Sequence, residues 1–138
     1  EYLISNRPNA DALCGTASVN GVNGCVLLPD NWSTPTGVTF QGEERVNGKP
    51  VDGYVVNTYS ASEWAVMESY GAVFLPAAGT RGGSSVGSEV GSDGKYWSST
   101  AYDQKDACYL LFYSVGEAPN YHGYRFEGRS VRLVQDVK

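Results

Sequence analysis

Cys108-Tyr109-Leu110-Leu111-Phe112-Tyr113 is the stretch on which the fold turns. Its side chains separate by period two, with Cys108, Leu110 and Phe112 on one side and Tyr109, Leu111 and Tyr113 on the other, which predicts a β-strand. Tyr96-Trp97-Ser98-Ser99 starts another strand before it. Ser130-Val131-Arg132-Leu133-Val134 reads as a final one, with Val131 and Leu133 alternating with polar Arg132. Between the strand at 108–113 and the last one, Tyr121, His122, Tyr124 and Phe126 stand among Gly, Asn, Glu and Arg without a strand's hydrophobic order, so this segment is expected to be irregular. Tyr offers a rigid apolar body and a hydrogen-bonding tip at low entropy cost, which suits a contact surface.

Upstream, Thr16-Ala17-Ser18-Val19, Asn20-Gly21 and Cys25-Val26-Leu27-Leu28-Pro29 predict a hairpin leading into a buried strand. In that register Cys25 faces Thr16 and Cys14 faces Leu27, so the two sulfurs are diagonal and expected to be too far apart for easy bridging. Residues 1–7 predict the end of a helix stopped by Pro8 and Asn9. The clearest helix is 61–70. Ser60 and Glu63 fit a capping box, Tyr59 and Trp64 a hydrophobic staple, and Gly71 a left-handed stop. Ala61, Trp64, Ala65 and Met67 would form its apolar stripe. Ala72-Val73-Phe74-Leu75-Pro76 predicts a short strand, whereas 30–58 and the Gly/Ser-rich 79–94 read mostly as loop.

The chain's 138 residues suit one domain over 1–138 with one hydrophobic core. With 17 Gly, 10 Tyr, 3 Trp and 18% charged residues, it is loop-rich and strand-rich rather than disordered. The net charge of −5 and the lack of a Lys/Arg cluster argue against a nucleic-acid partner. No run is long enough to insert directly into a membrane. The abrupt start at Glu1-Tyr2-Leu3-Ile4 suggests a C-terminal domain of a longer, exported protein. Three cysteines without metal spacing read as reduced and buried.

Catalytic chemistry is not expected. His122 is the single histidine, and no Gly-x-Ser-x-Gly accompanies it to make a triad. Gly94-Lys95 is followed by Tyr96, so the glycine-rich run lacks a phosphate loop's ending. The acidic residues at 87–93 and 103–106 match no calcium-loop spacing. The expectation is a non-enzyme without cofactor or metal.

Five motifs occur in order: Val26-Leu27-Leu28-Pro29-Asp30-Asn31-Trp32, Glu63-Trp64, Phe74-Leu75-Pro76-Ala77-Ala78-Gly79-Thr80-Arg81, Tyr96-Trp97-Ser98-Ser99-Thr100 and Ser130-Val131-Arg132-Leu133-Val134. Together they resemble the major paralogous domain family of Bacteroidetes and Fibrobacter surface proteins. That family is similar to the C-type lectin fold, in the variant shared with formylglycine-generating enzymes and with the variable proteins of diversity-generating retroelements. The resemblance implies an α+β domain with two helices, a small twisted antiparallel sheet and long loops. It makes Trp64 and Trp97 core anchors and ties Arg132 down near the final strand. Formylglycine-generating enzymes need a pair of cysteines in the C-terminal half, where Cys108 stands alone. The calcium sites of animal lectins have no match in Glu117-Ala118-Pro119-Asn120 or Trp97-Ser98-Ser99.

In retroelement variable proteins this C-terminal region displays the residues that mutagenesis rewrites, usually from Asn codons. The expected binding residues are therefore Tyr109, Leu111, Tyr113, Tyr121, His122, Tyr124 and Phe126, with Glu127 and Arg129 setting charge at the rim. Lys105, Glu117 and Glu127 do not fit a simple Asn-codon origin. Tyr109 and Tyr124 are expected to be replaceable by Ala with little loss of stability. A competing account places the Tyr109 face under a loop or second sheet, as ordinary core. The function implied is a ligand-binding display domain on a phage particle or bacterial surface, gripping a protein or glycan on a cell. The alternative is a calcium-independent carbohydrate-binding or adhesin and pilus-tip domain of a Bacteroidetes surface lipoprotein.

Overall fold

A computed structural model describes residues 2–42, 45–46 and 49–133. A π-helical turn, Tyr2–Asn6, precedes α1 (Ala10–Leu13), β1 (Cys14–Val19), β2 (Val22–Leu27), β3 (Arg45–Val46), β4 (Lys49–Pro50), α2 (Gly53–Val56) and β5 (Thr58–Tyr59). Then follow α3 (Ala61–Ser69), β6 (Val73–Pro76), β7 (Arg81–Gly82), β8 (Ser85–Val86), β9 (Gly94–Ala101), β10 (Asp106–Tyr113) and β11 (Gly116–Tyr124). The fold is α+β with few helices and several small sheets: a four-stranded sheet ordered β5-β1-β2-β6, a three-stranded sheet ordered β11-β10-β9, and two short ribbons. Among the described residues α3, at nine residues, is the one helix well beyond a single turn, where the resemblance implied two.

The β1–β2 hairpin turns at Asn20-Gly21, both with positive φ (49° and 79°), as a two-residue loop matched to strand twist requires. Its register is the predicted one, Cys14 opposite Leu27 and Thr16 opposite Cys25. The sulfurs are closer than expected: Cys14 and Cys25 lie 3.8 Å apart, both free and buried. Their mutual hydrogen bond and burial hold the Cys14 thiol far above its ordinary pKa, so it stays protonated. Arg7, fully buried, pins the N-terminal turn by donating to the carbonyls of Leu28 (2.6 Å) and Leu13 (2.9 Å) and pairing with Asp30 (3.1 Å).

At α3 the capping box forms as predicted: the Ser60 hydroxyl accepts from the Glu63 N–H, and the Glu63 carboxylate accepts from the Ser60 N–H at 2.8 Å. The helix ends at Gly71, whose φ is 94°. Its apolar stripe is narrower than predicted. Met67 is buried and Trp64 half-buried against Phe74 (centroids 5.5 Å), while Ala61 and Ala65 face solvent.

Two clusters make the core. Ala17, Val19, Val26, Leu28, Tyr59 and Met67 sit between the four-stranded sheet and α3, whereas Cys14, Cys25, Leu75, Leu110 and Phe112 join the two larger sheets. The second cluster fulfils the alternation of 108–113: Leu110 and Phe112 point inward, with Cys108 half-buried farther out.

Two expectations fail. The segment after 113 is not irregular, because Gly116–Tyr124 is a nine-residue strand. Nor is there a strand over 130–133: Ser130 alone bridges to Tyr96, and Val131 and Leu133 are exposed, Leu133 at 88%. Arg132 is likewise exposed rather than tied down, and Val134 lies outside the described residues.

Candidate functional site

Most of the predicted binding residues fall on the three-stranded sheet, whose pairing sets their neighbours. Tyr109 on β10 stands between Trp97 on β9 and Tyr121 on β11, so three aromatics line one face in a row. Trp97 meets Tyr109 edge-on (centroids 5.7 Å, 84°), and Tyr121 tilts against it at 5.5 Å. The guanidinium of Arg129 covers this row, 3.6 Å from the Tyr109 centroid and 4.7 Å from that of Trp97. It can lie so close because β11 carries Gly123 there; a Cβ at that position would run into Arg129.

This cover corrects two predictions. Tyr109, expected at the surface, is only 5% exposed, so the competing account of that face holds for it, with an arginine as the lid. Arg129, expected at the charged rim, has a side chain 4% exposed, and it is hydrogen-bonded to Glu127, whose side chain stays 32% exposed. Trp97, which the resemblance made a core anchor, is half-buried beneath the same guanidinium and lies outside both core clusters.

The remaining residues divide by position along the strands. Tyr113 is 43% exposed but pairs with Gly116 at one end of the β10–β11 hairpin, and Leu111 is half-buried nearer that end. Tyr124 pairs with Asp106 at the other end, seven residues away along β10, or about 23 Å at the usual rise per residue. Toward that far end stand two ring pairs, Tyr121 with His122 (centroids 6.4 Å apart) and Tyr124 with Phe126. Tyr121 and Tyr124 are each 52% exposed and Phe126 81%. Tyr124 and Phe126 stack with centroids 5.1 Å apart and planes within 13°.

Two residues not predicted belong to this end. Tyr102, 58% exposed, lies flat on the His122 ring at 3.9 Å and 1°. Arg125 fastens the β9–β10 turn: its N–H groups donate to the carbonyls of Asp106 (3.1 Å), Asp103 (2.5 Å) and, from the backbone, Lys105 (3.0 Å). Asp103 closes the turn by accepting the N–H groups of Lys105 and Asp106, both at 2.7 Å, and those bonds hold its carboxyl below the ordinary range. The available signal for Tyr102 was an aromatic flanking an Asp-rich turn, which by itself also describes an ordinary hairpin.

His122 Nδ1 lies 3.2 Å from the Asp106 carboxylate, and β-pairing sets Cys108 across from it, although the two are distant in sequence. The imidazole's hydrogen bond goes to Asp106 rather than to the thiol, so its role in this arrangement is stacking and hydrogen bonding. Among the described residues no group of three or more His, Cys, Asp or Glu is placed to hold a metal ion, and no helix is long and apolar enough to cross a membrane. The end of the sheet is thus an apolar, aromatic surface whose flanking charges are largely spent on internal contacts. No protein-family model, curated protein or solved structure matches the chain.

Proposed function

We propose that this chain is a ligand-binding display domain of C-type-lectin-like fold, related to the retroelement-diversified variable proteins, that grips a protein or glycan on a cell surface. One observation carries the reading: Tyr102, Tyr121, His122, Tyr124 and Phe126 crowd the open end of a sheet whose other end is locked into the core. Exposed, clustered aromatics on a rigid strand pair are the usual chemistry of binding hot spots. The binding set is Tyr102, Tyr121, His122, Tyr124 and Phe126, with Leu111 and Tyr113 a separate patch and Tyr109 and Arg129 its support. The role is recognition rather than catalysis, performed outside the cell or on a virion. The outer face of the Tyr124–Phe126 stack, with Phe126 81% exposed, also favours a second reading, in which a sugar stacks there without calcium.

The test is a panel of cells, glycans and surface proteins probed with the labelled domain, beside the triple variant Tyr121→Ala, Tyr124→Ala, Phe126→Ala. The variant is expected to keep its melting temperature and lose every ligand the parent retains. Retained binding, or a large drop in melting temperature, overturns the assignment. The genetic part is decided separately by the neighbouring DNA, which should hold a near-copy differing at adenines and a reverse transcriptase.

A further inference from the structure

A second concavity lies away from the aromatic end. Between the two larger sheets runs a cleft of about 570 Å³, within the range of small-molecule sites. Leu27, Val73 and Leu75 line it from the four-stranded sheet, Tyr96 and Leu110 from the other, and Ile4 from the N-terminal turn. Leu27, Val73 and Tyr96 are half-buried, so apolar surface remains for a ligand to cover. The polar groups near it are mostly occupied. The Tyr96 hydroxyl donates to the Pro76 carbonyl at 2.9 Å, and the Ser98 hydroxyl to that of Cys108 at 3.1 Å. Among the described residues that line the cleft, Arg132 alone carries charge, and it is a cation exposed to solvent. In a protein of net charge −5, that is a local reversal of sign.

We infer that this cleft binds an amphipathic carboxylate, its aliphatic body between Val73, Leu75 and Leu110 and its headgroup on Arg132. Apolar walls give affinity without direction, and the Arg132 guanidinium gives orientation and a preference for an anion over a neutral analogue of equal length. The inference is independent of the display reading, because none of Tyr121, Tyr124 or Phe126 lines the cleft.

Decanoate and 1-decanol test it, titrated against the intact chain by isothermal calorimetry. The expected result is one decanoate per chain, bound about tenfold more tightly than decanol, the factor a charge-assisted hydrogen bond supplies. Arg132→Gln should erase that preference by weakening decanoate about tenfold and leaving decanol unchanged. Val73→Trp should block both, with Ser98→Trp at the rim as the substitute if circular dichroism shows the first to be misfolded. The triple alanine variant of the aromatic end should bind decanoate like the parent. Absence of decanoate binding, or an unchanged preference in Arg132→Gln, overturns the proposal. So does binding that requires prior deletion of residues 134–138, which would make the chain's own end the occupant.

Discussion

Arg129 decides what Tyr109 does. Alternation along 108–113 correctly puts Tyr109 on the face opposite Leu110 and Phe112, and a strand's own sequence can say no more than that. Whether the face is open depends on a residue beyond β11 that folds back over it, and that return is a tertiary event with no local signature. Tyr109→Ala removes a ring held between Trp97, Tyr121 and the guanidinium, and should cost about 3–5 kcal/mol in urea unfolding. Phe126→Ala, at a site 81% exposed, should stay within about 0.5 kcal/mol. Arg129→Lys preserves charge but loses the planar stack over two rings, and should destabilise by about 1–2 kcal/mol. If Tyr109→Ala proves as harmless as Phe126→Ala, the covered face is wrongly described.

The strand β11 was illegible for a reason visible in its pairing. Tyr109 pairs with Tyr121 but Leu111 with Ala118, so β11 holds one extra residue at Pro119-Asn120. A bulge of this kind flips the inward–outward alternation midway, and a period-two search across it finds nothing. Pro119 is tolerated because β11 is an edge strand, where a missing N–H breaks no ladder. By contrast the α3 cap was readable, since a capping box is written in four consecutive residues. Ser60→Ala should cost about 1 kcal/mol, measured by thermal unfolding.

The loop 79–94 was read only as flexible, yet Glu89 clamps it by accepting from the Thr80 hydroxyl and from Lys95 at 2.9 Å. Those hydrogen bonds, Thr80 first, depress the Glu89 pKa from an ordinary 4.5 to about 2. A carboxylate lowered on folding contributes its stability above pH 4.5 and loses it as pH falls toward 2. Limited proteolysis of this loop should therefore accelerate between those values, and Glu89→Gln should show the fast rate already at pH 7. A flat profile through that window removes the clamp.

For the molecule as a whole, the first hairpin, the capped helix and the inward face of β10 were legible from pattern, while the α+β class came from the resemblance. The division of strands between two sheets was not, because Leu75 and Leu110 look alike in sequence whichever partner they meet. Ser130-Val131-Arg132-Leu133 alternates like a strand but meets its neighbour through Ser130 alone, so pattern overstated pairing there. The shared cluster of Cys14, Cys25, Leu75, Leu110 and Phe112 couples the sheets into one cooperative unit. Leu110→Ala should lower stability by about 2–5 kcal/mol. It should also shift the tryptophan and far-ultraviolet transitions together; separate midpoints would mean two independently melting halves.

The bulge in β11 also separates two regimes of constraint. On its near side the strand answers to the interior, where volume and shape restrict every choice. Beyond it, Tyr124 and the neighbouring Phe126 answer mainly to the outside, so their identities can change with little penalty to folding. The same division makes the far end of the sheet a place where side chains can be exchanged while the fold is kept.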